Sequence, residues 1–135
     1  ADVYIIATGD STTGGVIDKI TYGTGDIFNL NTNVTAAGGG TTNADLHTAA
    51  DVASTGVNET TLLADLQTAA TAAATNQFDQ AGDSMVVTIT GASIGGTGAR
   101  YLVHNTGTDA NVTVADDIIQ IMGTVAIPMA VGTII

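Results

Sequence analysis

The sequence predicts a mainly β fold, a β-sandwich of about seven strands with one helix packed across it near residues 58–76. Two observations predict the strands: short runs rich in Val, Ile and Thr recur along the chain, and glycine-containing turns separate them. A third observation predicts the helix, because one stretch keeps the apolar spacing of a helical face. With 135 residues, we expect a single domain, residues 1–135.

The N-terminal part of the chain contains three strand candidates. The first is apolar on both faces, with Tyr4 and Ile6 on one face and Val3 and Ile5 on the other. Such a run is typical of a strand that is covered on both sides. The three candidates are residues 2–8, 16–21 and 26–30.

The helix candidate begins at Asn58-Glu59 and ends near Asn76. Its apolar residues recur every three or four positions and so share one face. A second, shorter helix candidate covers residues 43–52, where Asn43 is a suitable N-cap. The apolar residues of the longer candidate are Leu62, Leu63, Leu66, Ala69, Ala70 and Ala73.

The C-terminal part returns to a β pattern. A turn at Gly95-Gly96 separates the first two of four strand candidates. Pro128 lies inside the last candidate and cannot donate to a ladder, so we expect that strand at an edge. The four candidates are residues 84–94, 99–105, 117–122 and 124–131.

The charge balance excludes some classes of function. The chain has thirteen acidic and two basic residues, which give a formal net charge of −11, and it has no Cys. Two cations cannot neutralise a phosphate backbone, so nucleic acid is excluded as a partner. No apolar run approaches the ~20 residues of a membrane span, so no transmembrane segment is predicted.

Aspartates beside Gly, Asn and Thr suggest calcium, which prefers several oxygen ligands brought together by tight turns. Three of them, Asp10, Asp18 and Asp26, are spaced by eight residues. If the first three strands form a meander, neighbouring turns bring two of these carboxylates together, and a cation offsets their repulsion. The alternative is that each Asp serves only its own turn, which selects the same residue type.

A second calcium candidate is the loop from Asn105 to Asp116. Its residues follow the twelve-residue spacing of EF-hand loops, with Val112 at the apolar position eight. The match is degraded, because Gly107 offers no side-chain oxygen and Ala110 replaces the turn glycine. An ordinary Asn/Gly/Asp turn is the alternative. The candidate metal ligands of the whole chain are Asp10, Asp18, Asp26, Asn105, Asp109, Asp116 and Asp117.

The sequence does not predict an enzyme. The two histidines, His47 and His104, lie in no catalytic motif, and no serine lies in a nucleophile-elbow pattern. Without Cys there is no thiol nucleophile, and no zinc-protease signature occurs.

Two segments carry a family resemblance. The first is DVYIIATGD at residues 2–10, followed by IDKI at 17–20 and GDIFNL at 25–30. The second runs from RYLV at 100–103 to ADDIIQIMG at 115–123. Both resemble the C-terminal regions of repeat-in-toxin type secreted proteins and related bacterial surface-layer proteins.

The resemblance implies a calcium-associated extracellular β-protein exported by type I secretion. It implies metal roles for Asp10, Asp18 and Asp26 and for the acidic stretch at 109–117. The glycine-rich nonapeptide calcium repeats of such proteins are absent, so a β-roll is not implied.

Apolar strand candidates at both ends of the chain are liabilities unless something pairs them. We therefore expect a secreted bacterial structural protein, a subunit that polymerises with itself into a filament, surface layer or biofilm matrix through terminal strand exchange, with calcium as stabiliser. The alternative is an adhesive or carbohydrate-binding β-module, excised from a larger secreted protein, whose partner is a cell-surface glycan. Glycan sites favour aromatic platforms, and the chain has only five aromatic residues.

Overall fold

The computed structural model describes residues 2–30, 35–36, 45–46, 50–53, 58–72, 78, 80–107 and 111–123. Within these residues the protein is mainly β, with nine strands and one helix. The strands are β1 (Val3–Ile5), β2 (Lys19–Thr21), β3 (Ile27–Asn29), β4 (Thr35–Ala36), β5 (Asp45–Leu46), β6 (Ala50–Val52), β7 (Ser84–Ile89), β8 (Ala99–His104) and β9 (Asp117–Met122), and helix α1 spans Glu59–Ala72.

The strands form a seven-stranded and a two-stranded sheet. In the larger sheet the order is β2-β9-β8-β7-β5-β4, and β6 also pairs with β7. The three long strands β7, β8 and β9 pair antiparallel, whereas β2, β5 and β6 join them in parallel. The smaller sheet is β1 paired in parallel with β3.

Strands β7, β8 and β9 form the centre of the fold because they are buried on both faces. Alternate residues along each strand point to opposite faces, and each face has its own apolar cluster. Helix α1 covers one face, where Leu62 and Leu66 belong to the same cluster as Val87. The β1–β3 sheet covers the other face, where Phe28 belongs to the same cluster as Leu102.

Helix α1 confirms the helix that the apolar spacing predicts. Asn58 caps it, because its Oδ1 accepts a hydrogen bond of 2.9 Å from the N–H of Thr61. Leu62, Leu66 and Ala69 form the buried face. Residues 73–76 of the predicted helix lie outside the described residues.

Most strand predictions hold, with shorter bounds. The predicted strand at 117–122 matches β9, and the candidates at 2–8, 16–21, 26–30, 84–94 and 99–105 each contain an observed strand. The candidate at 124–131, with Pro128, lies outside the described residues. A mainly β fold with one packed helix is therefore confirmed, whereas a sandwich of two extended sheets is not established, because the smaller sheet has two three-residue strands.

Three finer expectations are wrong. The first three strands do not form a meander, because β1 pairs in parallel with β3 and β2 pairs in parallel with β9. The described residues of the candidate helix at 43–52 form β5 and β6, whose main chains pair with β7. The first strand is covered on one side only, since Val3 and Ile5 are 56% and 76% exposed.

Candidate functional site

A recurring turn, here called the Asp turn, uses four of the acidic residues. In each four-residue turn the N–H of the first residue donates to the carboxylate of the fourth, an aspartate. The N–H of that aspartate donates back to the carbonyl of the first residue. The donor-to-carboxylate distances are 2.7–3.1 Å, within the usual range. The four turns are residues 7–10, 23–26, 80–83 and 113–116.

Three Asp turns place glycine at their third position. Gly9, Gly25 and Gly82 have φ values of 84°, 92° and 95°, in the region where a Cβ is disfavoured. A positive φ at the third residue is the requirement of a type II turn. The Gly-Asp dipeptide is therefore a conformational unit, in which glycine bends the chain and aspartate closes the bend.

The second carboxylate oxygen of two Asp turns reaches a neighbouring segment of chain. Oδ1 of Asp26 accepts the N–H of Asp2 at 2.8 Å, just before β1. Oδ1 of Asp116 accepts the N–H of Thr106 at 2.9 Å, just after β8. Each of these carboxylates thus joins the turn before its own strand to an end of another strand.

The electrostatics of Asp26 agree with this arrangement. The N–H groups of Asp2 and Gly23 hold the pKa of the Asp26 carboxyl below its usual range, because they stabilise the ionised form. Burial, together with the nearby charge of Asp26, raises the pKa of the Tyr4 hydroxyl. That hydroxyl donates to the carbonyl of Thr21 at 2.8 Å.

Two candidate ligands, Asp10 and Asp117, lie near each other. Oδ1 of Asp117 accepts the N–H of Gly9 at 2.7 Å, beside Asp10. Burial raises the pKa of the Asp117 carboxyl, and the charges of Asp10 and Asp116 raise it further. The repulsion expected of a cation site thus contributes to the raised pKa of one candidate ligand, Asp117.

The other candidate ligands have separate surroundings. The main-chain N–H of Asp18 donates to Ser11 Oγ at 2.8 Å, and Asn105 Oδ1 accepts the N–H of Gly107 at 2.9 Å. Asp109 lies outside the described residues. Within the described part of the chain, no group of three or more His, Cys, Asp or Glu side chains is arranged to hold a metal ion.

The loop from Asn105 to Asp116 is closed by hydrogen bonds from main-chain N–H groups to the Asp116 carboxylate. Both oxygens of Asp116 accept N–H groups, Oδ1 from Thr106 and Oδ2 from Thr113. The threonine hydroxyls add contacts of 3.2 and 3.3 Å to the same carboxylate. This is the pattern expected if Asp116 serves its own turn, the alternative to an EF-hand ligand.

His104 forms a buried pair with Ser84, opposite it on β7. The Ser84 hydroxyl lies 2.9 Å from His104 Nδ1, and both residues are buried, Ser84 completely. Burial lowers the pKa of His104 to about 4, although the charges of Asp116 and Asp83 act in the other direction. A fully buried hydroxyl cannot reach a substrate, so the pair joins two strands.

Sequence reasoning missed Asp83, which is 1% exposed and closes the turn before β7. The available signal was the third Gly-Asp dipeptide, at 82–83, which repeats those at 9–10 and 25–26. The Ser84–His104 pair had no comparable signal, because it depends on the register of β7 and β8.

Comparisons with known proteins identify no relative of this chain. No protein-family model matches the chain, and no curated protein or solved structure matches it. Among the described residues, no helix has the length and apolar character to cross a bilayer.

Removing the Asp116 carboxylate should destabilise the protein. We expect Asp116→Ala to lower the free energy of unfolding by about 2–4 kcal/mol, because two main-chain N–H groups lose their acceptor. Asp116→Asn keeps one acceptor oxygen and should cost less. Urea unfolding measures both, with Asp51→Ala, an exposed aspartate on β6, as the charge-matched control. Equal stability of Asp116→Ala and Asp51→Ala would contradict the structural role.

His104 should make the protein less stable in mild acid. Between its ordinary pKa of 6.5 and its folded pKa of about 4, the unfolded chain binds a proton that the folded chain does not. Stability should therefore fall as the pH falls through this window, by up to about 3 kcal/mol.

Unfolding measured at several pH values, for the parent and for His104→Asn, tests this expectation. Asp117, whose raised pKa acts in the opposite direction, is common to both proteins. The variant should lose less stability in the window than the parent. If His104→Asn keeps the full pH dependence of the parent, the assignment is wrong.

Calcium binding stays a prediction. We expect millimolar calcium to raise the thermal midpoint, because a cation relieves the repulsion between Asp10 and Asp117 and binds only the folded chain. Asp10→Asn should remove most of that rise, whereas Asp51→Asn should keep it. Equimolar magnesium separates specific binding from screening. A midpoint that does not respond to calcium would contradict the prediction.

Proposed function

We propose that this protein is a secreted bacterial structural subunit that assembles with copies of itself by strand addition at β1. The observation that carries the proposal is the exposed position of β1, which presents apolar side chains and, among the described strands, an edge without a partner.

The outward face of β1 is apolar. Val3 and Ile5 are 56% and 76% exposed, and their register partners Ile27 and Asn29 are half-buried. On the opposite face, Tyr4 contacts Phe28 in the core, with ring centroids 5.7 Å apart. The strand is thus anchored by one face, and its other face is left to solvent.

The outer edge of β1 can accept another strand. The carbonyl of Asp2 and the N–H of Ile6 bond to β3, and in a parallel pair alternate residues face the partner. Val3 and Ile5 therefore direct their main-chain groups away from β3. Among the described strands, β1 pairs with β3 alone. An edge of this kind is a template for strand addition.

A further strand would also strengthen a weak element. Two strands of three residues are marginal without support, and a third strand extends their ladder. The sequence offers the predicted strand at 124–131 of a second copy as donor, which gives a head-to-tail contact. Contacts of this type form open filaments when they do not close into rings.

Charge limits when assembly should occur. Copies with a formal net charge of −11 repel one another, and this repulsion falls as ionic strength rises. We therefore expect assembly to be favoured by salt, and by calcium where it binds. Type I secretion and a place in a surface layer or matrix rest on the sequence resemblance alone.

The aromatic residues favour assembly over the glycan-binding alternative. Tyr22, Phe28, Phe78 and Tyr101 are buried, and Tyr4 is half-buried. Tyr22 stacks on Phe28 with ring centroids 5.4 Å apart. Because all five aromatic side chains of the chain are at least partly in the core, none forms an exposed sugar platform.

Polar substitution of the β1 face should prevent assembly. The parent is expected to form multimers as concentration and salt rise, and Val3→Thr with Ile5→Thr to remain monomeric. The matched control is Val114→Thr with Val16→Thr, since these residues are 57% and 75% exposed elsewhere on the surface. Sedimentation velocity and electron microscopy measure the outcome.

Ile5→Pro tests the edge separately, because it removes an N–H that points away from β3. The proposal fails if the parent stays monomeric under all conditions, or if the β1 variants assemble as well as the control.

A further inference from the structure

A small cavity lies where the start of helix α1 meets the edge of the large sheet. Lys19 on β2 is the register partner of Gln120 on β9, and Gln120 is the partner of Tyr101 on β8. Register partners share a face, so these three residues form one row across the sheet. Glu59, the first residue of α1, lines the same cavity, whose volume is about 220 Å³.

The floor of the cavity contains a buried polar group. Tyr101 is fully buried, and its hydroxyl has no hydrogen-bond partner of good geometry among the described residues. Burial raises the pKa of this hydroxyl, and the nearby Ser93 and Gly95 offset the rise in part. The hydroxyl oxygen has almost no exposed surface, so Tyr101 shapes the floor of the cavity and its hydroxyl does not contact a ligand.

The cavity wall is also closely fitted. Gln120 Nε2 donates to the carbonyl of Gly95 at 3.1 Å. A Cβ on Gly95 would overlap both the Tyr101 hydroxyl and the Gln120 amide. Glycine at this position therefore lets the main chain approach the row of polar side chains.

The lining combines opposite charges with apolar surface. Lys19 is one of two basic residues in the chain, and Glu59 is the only glutamate. Val16, Ile17 and Ile94 supply apolar walls. A ligand that matches this lining carries a carboxylate for Lys19, an ammonium group for Glu59 and an aliphatic side chain for the apolar walls.

We propose that the cavity binds a small aliphatic zwitterion of the free α-amino acid type. Its volume lies below the ~300–1,000 Å³ of sites for drug-sized ligands, which favours a small molecule. Lys19 holds the carboxylate, and Glu59 holds the ammonium group. The site is independent of assembly through β1.

Titration of isotopically labelled protein with L-leucine, monitored by NMR, tests the proposal. Two truncated ligands accompany it: 4-methylpentanoate, which lacks the ammonium group, and isoamylamine, which lacks the carboxylate. Each should bind at least roughly tenfold more weakly than leucine, since each loses one charge-assisted hydrogen bond.

Variants of Lys19 and Glu59 test which side chain binds the carboxylate of the ligand and which binds its ammonium group. Lys19→Gln should weaken leucine binding roughly tenfold without changing the affinity for isoamylamine, and Glu59→Gln should do the same relative to 4-methylpentanoate. Arg100→Gln gives the same change in net charge as Lys19→Gln and should bind leucine like the parent. Lys19 and Glu59 are exposed, so both variants should fold, which circular dichroism checks.

Three results would overturn the proposal. These are the absence of saturable shifts up to the solubility limit of leucine, equal binding by Lys19→Gln and Arg100→Gln, and binding of 4-methylpentanoate as tight as that of leucine.

Discussion

The reciprocal hydrogen bonds of the Asp turn are the constraint on which the rest of the fold depends. Asp26, Asp83 and Asp116 come directly before β3, β7 and β9, so these turns fix where three strands begin. Asp26 and Asp116 also bind main-chain N–H groups beside β1 and β8. Strands of three to six residues have few ladder bonds, and a buried carboxylate that satisfies two N–H groups adds to them at the ends.

This interaction gives the acidic composition a structural meaning. An ionised carboxylate that accepts main-chain N–H groups is stabilised in its charged form, so these hydrogen bonds favour the burial of aspartate in the turn. Glutamate, whose carboxylate lies one methylene further from the main chain, would not fit the same turn. The cost is a formal net charge of −11, which opposes contact between copies and makes ionic conditions important for any assembly at β1.

Local sequence patterns predicted the helix and most of the strands. The pairing of the strands depends on long-range contacts, which these patterns do not show. The apolar spacing from Leu62 onward predicted α1, and the β-rich runs predicted β7, β8 and β9. The parallel pairing of β1 with β3 depends on chain crossovers that leave no local signal. Val3 and Ile5 suggested a covered strand, but only tertiary packing shows which face is open. The sequence did not decide whether Asp26 and Asp116 are calcium ligands or turn residues, because both roles occur in the same local sequence.

The most direct test measures the pKa of each aspartate by NMR, in a pH titration of protein labelled with ¹³C at the carboxyl carbons. If the Asp turns are structural, Asp26 titrates below the ordinary range of aspartate, and the amide resonances of Gly23 and Asp2 move with it. Asp117 titrates above the ordinary range in the same experiment. An Asp26 carboxyl that titrates like a free aspartate, or whose titration leaves both amides unmoved, would contradict this account.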